Sequence, residues 1–367
     1  MGAESAVTVI LDTTLGVVFT WVGWKTVKML RKYTPYSYPN ARINAMEVKL
    51  LSEQRFNELA ESRTLQNFIV SLEDTDYKVH LSGVAEDPVE IERAFERALA
   101  STYLLMEEIL PKRVKGFFRL LLEEWDVRNI ASVVKAKVRD EPAIDYVVEV
   151  GTIVPKVKAI AEAKTMEEIL VILEGTPYEK HCQRLFLGEI SVDQFETELY
   201  KDYYSRLLDY ATSRKEEERI ILEEFVRTKI DIRNIVTLLR AKRAGLPGKA
   251  IREHLIPGGS VDLDTVLNID DLNMVLAELD STKYGKVLKE NKERIEKDIT
   301  VVESVLWNYL LRRVKDLERF YPLSIATPLS YILKKEREIK KLKAMAKLIA
   351  DDVEPEKIKE IIGEELA

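Results

Sequence analysis

The sequence predicts an all-α protein of three similar helical domains, preceded by a hydrophobic N-terminal helix. Three observations favour this fold class. A short motif of the form LExTxY occurs three times, and a second motif follows each copy at a similar distance. Apolar residues follow helical spacing along most of the chain, whereas β-branched alternation is confined to short runs. A chain of 367 residues is long enough for several domains, each with its own core.

The first motif reads LEDTDY at residues 72–77, LEGTPY at 173–178 and LDSTKY at 279–284, at intervals of 101 and 106 residues. Each copy is preceded by apolar residues at positions i, i+3, i+4 and i+7, which is one face of a helix. We expect the shared Thr and Tyr to form a turn and to pack in the core, with a binding site as the alternative. These residues are Thr75, Tyr77, Thr176, Tyr178, Thr282 and Tyr284.

The second motif reads DVRNI at residues 126–130, DIRNI at 231–235 and EIKKL at 338–342. Its acid follows the motif tyrosine by 49, 53 and 54 residues in the three copies. Two motifs in the same order and at similar spacing are hard to obtain by chance. The chain is therefore an internal repeat.

On a helical wheel the acid of each second motif, Asp126, Asp231 or Glu338, lies at the edge of the apolar stripe. A carboxylate so close to a core needs a hydrogen-bonding or charged partner. We therefore expect three structural carboxylates, each locking the same two helices of its domain.

The basic residue two positions after each acid points about 150° away from the centre of the apolar stripe. This set consists of Arg128, Arg233 and Lys340. Two interpretations remain open. The residues belong to an ordinary solvated helix face, or they form a pseudo-threefold ring that grips a partner.

Proline and glycine residues separate the copies near Pro142 and across residues 247–260. These breaks predict a hydrophobic N-terminal helix followed by three repeats. The predicted limits are residues 1–34, 35–141, 142–248 and 249–367.

Composition and motifs exclude several classes of function. The net charge of −7 argues against a nucleic-acid-binding protein. His80, His181 and His254 have no metal-ligand spacing, and His181 and Cys182 are neighbours that would point apart on a helix. No glycine-rich phosphate-binding loop is present. We therefore expect no catalytic residue, metal, cofactor or small-molecule substrate. The single cysteine favours a reducing compartment, and the high charge favours a thermophilic source.

The N-terminal segment at residues 6–24 contains one charged residue, Asp12. As a helix it would span about 28 Å, close to the hydrocarbon thickness of a bilayer. We expect contact with a membrane or a membrane complex, with the following basic residues on the cytoplasmic side. An amphipathic helix on the membrane surface or against the protein's own domains is the alternative. The candidate contact residues are Val18, Phe19, Trp21, Trp24, Lys25 and Lys28.

Several stretches together resemble the C subunit of archaeal-type ATP synthases, the counterpart of the d subunit of the eukaryotic vacuolar ATPase. They are YSYPNARINAMEVKLL at 36–51, SLEDTDY, the paired DVRNI and DIRNI, and the closing YPLSIATPLSYILKKEREIKKLKAMAKLI. The resemblance covers about residues 36–367. It implies a funnel of three similar helical domains around a pseudo-threefold axis, in agreement with the repeats.

The resemblance also implies a non-catalytic rotor subunit between the central stalk and the membrane ring of proteolipid subunits. Such a subunit transmits torque for ATP synthesis driven by protons or sodium ions. It would lie at the cytoplasmic side of the cell membrane as part of a membrane-bound complex. The apolar segment before Tyr36 departs from the family pattern, and we expect it to enter, or lie at the mouth of, the central hole of the ring.

Lys341 is a second departure, because Asn129 and Asn234 occupy that position in the other copies. A helical-repeat scaffold that binds unrelated partners is the alternative function. An enzyme would have the three core-edge acids as its best candidate catalytic residues.

Overall fold

The computed structural model of the protein describes the backbone of residues 2–364 and the side chains of residues 14–31 and 33–363. Within this range all regular structure is helical, which confirms the predicted all-α class. The helices are α1 Gly2–Glu47, α2 Glu53–Ala60, α3 Leu65–Val70, α4 Lys78–Leu81, α5 Pro88–Ile109, α6 Lys112–Val138, a 3₁₀ turn at Ala143–Tyr146, α7 Val154–Glu162, α8 Met166–Leu173, α9 Glu179–Phe186, α10 Val192–Thr212, α11 Glu216–Arg243, α12 Gly248–Glu253, α13 Leu272–Leu279, α14 Gly285–Glu290, α15 Lys292–Lys297, α16 Val301–Phe320, α17 Ala326–Ala350 and α18 Pro355–Glu364.

Six long helices form three hairpins, α5–α6, α10–α11 and α16–α17. Each hairpin packs against the next, and α17 packs back against α5, so the hairpins form a closed ring. The second helix of each hairpin carries the second sequence motif. This is the predicted arrangement of three similar units around a pseudo-threefold axis.

Groups of short helices decorate the ring, and the first motif lies in each group. The helix before each motif starts at a residue whose side-chain oxygen accepts a backbone N–H three residues on, namely Thr64, Thr165 or Asp271. A turn follows the helix, and in it the hydroxyl of the motif threonine donates to the carbonyl three residues earlier at 2.6–2.7 Å. Local sequence therefore dictates the same capped helix and turn three times.

Each group of short helices packs on the long helix that carries the second motif of the preceding copy. The second copy contacts α6 through α7, and the third contacts α11 through α12 and α13. The first copy has no preceding motif helix, and it packs on α17 and α18 at the other end of the chain. These contacts cross the predicted limits at residues 34, 141 and 248, and the division into domains at those limits stays a prediction.

Helix α1 continues through the predicted limit at residue 34 and includes Pro35 and Pro39. Its two parts differ in environment. The described side chains of 14–31 are exposed, whereas Tyr36, Asn40 and Ile43 are buried. The second part therefore belongs to the body of the protein and the first part does not.

Polar contacts fix the docked part of α1. The amide of Asn40 donates to the carbonyl of Ser324 at 3.1 Å, and Glu47 pairs with Lys334 at 2.6 Å. Within the described part of the chain, no helix has the length and apolar character required to cross a bilayer. The side chain of Asp12 lies outside the described residues.

Ile43→Ala tests the docking of α1. Ile43 is fully buried, so its truncation should lower the free energy of unfolding by about 2–5 kcal/mol. Val48→Ala is the control, because Val48 is 86% exposed and its truncation should change stability by less than about 0.5 kcal/mol. Guanidinium unfolding followed by circular dichroism measures both, and equal small effects would show that α1 does not dock.

Candidate functional site

The acids of the three second motifs are buried on the second helix of each hairpin, namely α6, α11 and α17. Asp126, Asp231 and Glu338 are each exposed by 5% or less. All three accept hydrogen bonds from a segment outside their own helix. We call each acid with its donors a carboxylate node.

In the first node, Asp126 receives the chain that follows its own hairpin. Its Oδ1 accepts the backbone N–H groups of Thr152 and Ile153 at 2.8 and 3.1 Å. The hydroxyl of Thr152 donates to Oδ2 at 2.5 Å. The carboxylate therefore accepts the hydrogen bonds that water would otherwise accept from the loop and from the start of α7.

The second node repeats this pattern with different residues. Asp231 accepts the backbone N–H groups of Ser260 and Val261 at 2.7 and 3.1 Å and also the hydroxyl of Ser260. The motif residue Tyr284 donates its hydroxyl to Oδ2 at 2.8 Å. Lys283 lies 3.4 Å from the same oxygen. The two sequence motifs thus meet at one carboxylate.

The third node joins the two ends of the chain. Glu338 accepts the backbone N–H of Leu51 at 2.6 Å and the hydroxyl of Tyr77 at 2.5 Å. Lys335 donates to the same carboxylate at 2.8 Å. Here Glu replaces Asp, and a lysine on the same helix contributes a charge that the hydroxyl donors Thr152 and Ser260 do not provide.

Glycine makes the first two nodes possible. A Cβ on Gly151 or Gly259 would lie 2.2 or 2.4 Å from the Oδ1 atom of Asp126 or Asp231. The sequence pattern predicted Gly259 only as part of a break between repeats and did not single out Gly151, so the role of both glycines was missed. The signal was a Gly-Thr or Gly-Ser pair whose hydroxyl residue follows the acid by 26 or 29 residues.

The asparagines of the second motif bind the same loops. Asn129 donates to the carbonyls of Val148 and Val150 and accepts the N–H of Val148. Asn234 makes the corresponding donor and acceptor bonds to Ile256. At the third node the equivalent position is Lys341, whose ammonium pairs with Glu53 of the first copy.

The nodes differ in charge. Asp231 and Glu338 each have a lysine within 3.4 Å. Asp126 forms no ion pair with any side chain in the described ranges. Burial raises the pKa of Asp126 to about 6, because the loss of water outweighs the hydrogen bonds from Thr152 and Ile153. Burial and the charge of Asp126 in turn raise the pKa of Tyr178, the motif tyrosine of this node.

A cavity of about 320 Å³ is lined by residues of all three hairpins. Helices α5, α6, α11, α16 and α17 all contribute to its wall. Arg128 and Lys340, two of the three predicted partner-facing residues, line it together with Trp125 and Trp307. We call this cavity the socket.

Three equivalent positions, each two residues before a motif acid, meet in the socket. They are Glu124, Lys229 and Glu336. Lys229 pairs with Glu124, and although burial opposes it, this attraction leaves the pKa of Glu124 lowered. Burial raises the pKa of Glu336, which accepts the hydroxyl of Tyr103. The wall of the socket is therefore both charged and aromatic.

Arg233, the third predicted partner-facing residue, lies in a different environment. Its guanidinium is 3.2 Å from the ring centroid of Tyr200 and 3.3 Å from Glu196. The sequence grouped it with Arg128 and Lys340 by position alone. The structure gives it local partners on α10.

The candidate membrane-contact residues lie on the exposed part of α1. Val18, Phe19, Trp21 and Trp24 are 50%, 72%, 55% and 62% exposed. The ammonium groups of Lys25 and Lys28 lie 4.6 and 5.4 Å from the ring centroids of Trp21 and Trp24. In the described part of the chain, no group of three His, Cys, Asp or Glu side chains is arranged to hold a metal ion.

Comparison with known proteins identifies similar sequences along the whole chain. A family profile described as ATP synthase (C/AC39) subunit matches residues 39–361. A protein of Thermococcus gammatolerans, named as the C subunit of an A-type ATP synthase, is 86% identical over 367 residues, covering all of both chains. A Pyrococcus horikoshii protein of the same name is 55% identical over 365 residues, covering 98% of this chain and 99% of its own.

A more distant protein of Methanosphaera stadtmanae, which carries the same name, is 31% identical over 357 residues. The alignment covers 93% of this chain and 90% of that protein. The expected archaeal origin agrees with these relatives, and Thermococcus and Pyrococcus species are thermophilic.

Tyr284→Phe tests the link between the two motifs. The variant removes one hydroxyl that donates to the buried carboxylate of Asp231, so unfolding should require about 1.5–3 kcal/mol less. Tyr203→Phe is the matched control, because the buried hydroxyl of Tyr203 has no hydrogen-bond partner among the described residues. Its removal should be neutral or slightly stabilising. Equal losses in denaturant unfolding would contradict a specific role for the Tyr284 bond.

The pH dependence of stability tests the node at Asp126. The folded state raises its pKa from 3.8 to about 6, so the folded protein binds this proton more tightly than the unfolded chain. Lowering the pH from 7 to 5 should therefore add about 1 kcal/mol of stability through this group. Asp126→Asn should remove that gain.

The measurement is the change in unfolding free energy between the two pH values within each variant. Asp145→Asn, at an exposed position, is the control and should keep the wild-type pH dependence. A variant Asp126→Asn with an unchanged pH dependence would mean that Asp126 is ionised in the fold throughout this range.

Proposed function

The chain belongs to the C/AC39 family of ATP synthase subunits, and from this premise we propose that it is a non-catalytic central-rotor subunit. In this role it connects the central stalk to the proteolipid ring and transmits torque for ATP synthesis driven by an ion gradient. It lies on the cytoplasmic side of the cell membrane within the complex.

The closed ring of hairpins supports a mechanical role. Each hairpin is held by both neighbours, and three buried carboxylates bind the connecting segments at short distances. A bond to a buried charge has a defined direction and is costly to break. We propose that Asp126, Asp231 and Glu338 serve rigidity rather than catalysis.

The socket is the proposed seat of the central stalk. It is concave, three equivalent positions of the repeat line it, and its wall combines two tryptophans with charged side chains, of which Lys229 and Glu124 pair. Aromatic and arginine side chains are typical anchors of protein interfaces. We assign Arg128 and Lys340 to the contact with the stalk, and Arg233 to the adjoining wall.

The exposed part of α1 is the proposed contact with the ring. Residues 15–24 are apolar except for Thr20 and the two glycines Gly16 and Gly23, and all ten residues are exposed. They extend over about 15 Å of helix. This segment suits the mouth of the ring's central hole, where apolar side chains or lipid would surround it.

The alternative function is a helical-repeat scaffold for unrelated partners. Such scaffolds stack repeats so that each contacts only its neighbour, and the terminal repeats carry polar caps. In this protein the first and last copies contact each other through α5 and α17 and through α2 and α18. This closure favours a socket over an open scaffold.

Native mass spectrometry of the tagged chain, extracted from its host's membranes in mild detergent, tests the proposal. We expect one copy together with proteolipid-ring, stalk and catalytic-head subunits. The chain alone, or with soluble partners only, would overturn the rotor assignment and favour the scaffold.

Arg128→Glu then tests the socket within the same complex. Charge reversal at this wall should release stalk and head subunits while the ring remains bound. Arg319→Glu is the control, because Arg319 lies on α16 about 24 Å along the helix from Glu303 in the socket wall. Retention of the stalk by both variants would remove Arg128 from the proposed contact.

A further inference from the structure

Five basic side chains lie at the end of the exposed part of α1 that adjoins the body of the protein. Lys25, Lys28 and Arg31 lie on the helix itself, and Arg214 and Lys215 lie at the connection between α10 and α11. Lys28, Arg31, Arg214 and Lys215 line one cavity of about 480 Å³. We call these five residues the basic collar.

The acids near the collar already have partners. Glu218 accepts the hydroxyl of Tyr36 at 2.7 Å and pairs with Arg113, and Glu217 accepts the hydroxyl of Tyr33 at 3.2 Å. Glu216, which also lines the cavity, interacts with another group as well. With Glu218 paired to Arg113, the five collar cations outnumber the two other acids of the cavity, Glu216 and Glu217.

The collar cations have no carboxylate partner in the described part of the chain. Lys25 and Lys28 lie over tryptophan rings, and Arg214 donates to the carbonyl of Arg113 and lies over Tyr210. The side chains of Arg31 and Lys215 make no hydrogen bond or ion pair with described residues. The collar thus presents several positive charges to an anion.

The helix beyond the collar is apolar on every side. Val17, Phe19 and Trp24 are at least 60% exposed, and Leu15 to Trp24 cover about 15 Å. A helix that is apolar all round is stable in lipid or in a protein interior but not in water.

Trp21 and Trp24 lie between the apolar part and the collar. Tryptophan prefers the boundary between hydrocarbon and headgroups, and basic residues follow it on the headgroup side. The order along α1 is therefore apolar residues, then tryptophans with lysines over their rings, then the collar. This order matches the layers at a membrane surface, from hydrocarbon to headgroups.

We propose that the collar binds the phosphate headgroups of an anionic phospholipid membrane while residues 15–24 enter the hydrocarbon of the same leaflet. The orientation, with the membrane beyond α1, rests on the proposed function. The lipid contact itself depends on charge and apolar exposure and requires no ring subunit. Phosphate esters are the ligand class, and a bilayer surface is their source.

Binding of the full-length chain to vesicles tests this proposal. We expect flotation with vesicles that contain phosphatidylglycerol and much weaker flotation with vesicles of phosphatidylcholine alone. The triple variant Arg31→Gln, Arg214→Gln, Lys215→Gln should bind the anionic vesicles on the order of 100-fold more weakly, since each basic residue near such a surface contributes about a factor of five to ten.

The matched control is Lys286→Gln, Lys289→Gln, Lys292→Gln, which removes three charges from a single exposed cluster on α14 and α15. Its affinity should stay within about threefold of the wild type, because salt screens distant charges. Equal binding to both kinds of vesicle, or equal losses in the two triple variants, would overturn the proposal.

Phe19→Ser separates the apolar contact from the charge contact. It should weaken binding to anionic vesicles without changing their advantage over phosphatidylcholine. Inorganic phosphate, compared with chloride at equal ionic strength, should not displace the protein. Displacement by phosphate would identify a site for the free anion and refute the membrane assignment.

Native mass spectrometry of the collar variant keeps the two proposals apart. A variant that loses vesicle binding but still co-purifies with the ring would leave the rotor assignment standing. Wild-type vesicle binding without any ring subunits in the complex would leave the lipid contact standing and reject the rotor.

Discussion

The fold depends on the need of three buried carboxylates for partners. Asp126, Asp231 and Glu338 lie on the second helices of the hairpins with almost no exposure to water. An unpaired carboxylate in such a place would cost several kcal/mol. Each acid therefore binds backbone N–H groups of a segment that the helix does not contain. Where these segments dock determines where the short helices of the next copy begin, and so sets the order of units around the ring.

Closure of the ring follows from the same requirement. Two of the acids receive the chain that continues from their own hairpin, whereas Glu338 receives a segment from the start of the ring. Its donors are Leu51 and Tyr77 from the first copy.

The third node also shows how the residues of a repeat can change while the contact is kept. Without a Gly-Thr or Gly-Ser loop, it uses a longer acid and Lys335, and its asparagine position holds Lys341.

The sequence was sufficient for the fold class because two motifs recur with fixed spacing and the apolar stripes have a helical period. It also placed the motif acids at the core edge, since that is a property of a single helix. It did not predict that Tyr77 binds Glu338. The two residues are 261 positions apart, and which copies contact each other is determined by tertiary packing rather than by local sequence. Gly259 was predicted only as part of a break and Gly151 was not singled out, because the close approach of each glycine to a carboxylate on a helix has no local signal. Position on the wheel likewise could not separate Arg233 from Arg128, as the difference arises from Glu196 on another helix, which pairs with Arg233.

A ring held by apolar packing alone would resist compression better than rotation, because hydrophobic contact is non-directional. Hydrogen bonds to buried carboxylates are directional, and they lie where one unit would slide past the next. Closure adds a second constraint, since a hairpin displaced along the ring must disturb both neighbours. The two properties together favour a body that rotates as one piece. That mechanical character, rather than any reactive group, is what the three repeated carboxylates contribute to the proposed rotor.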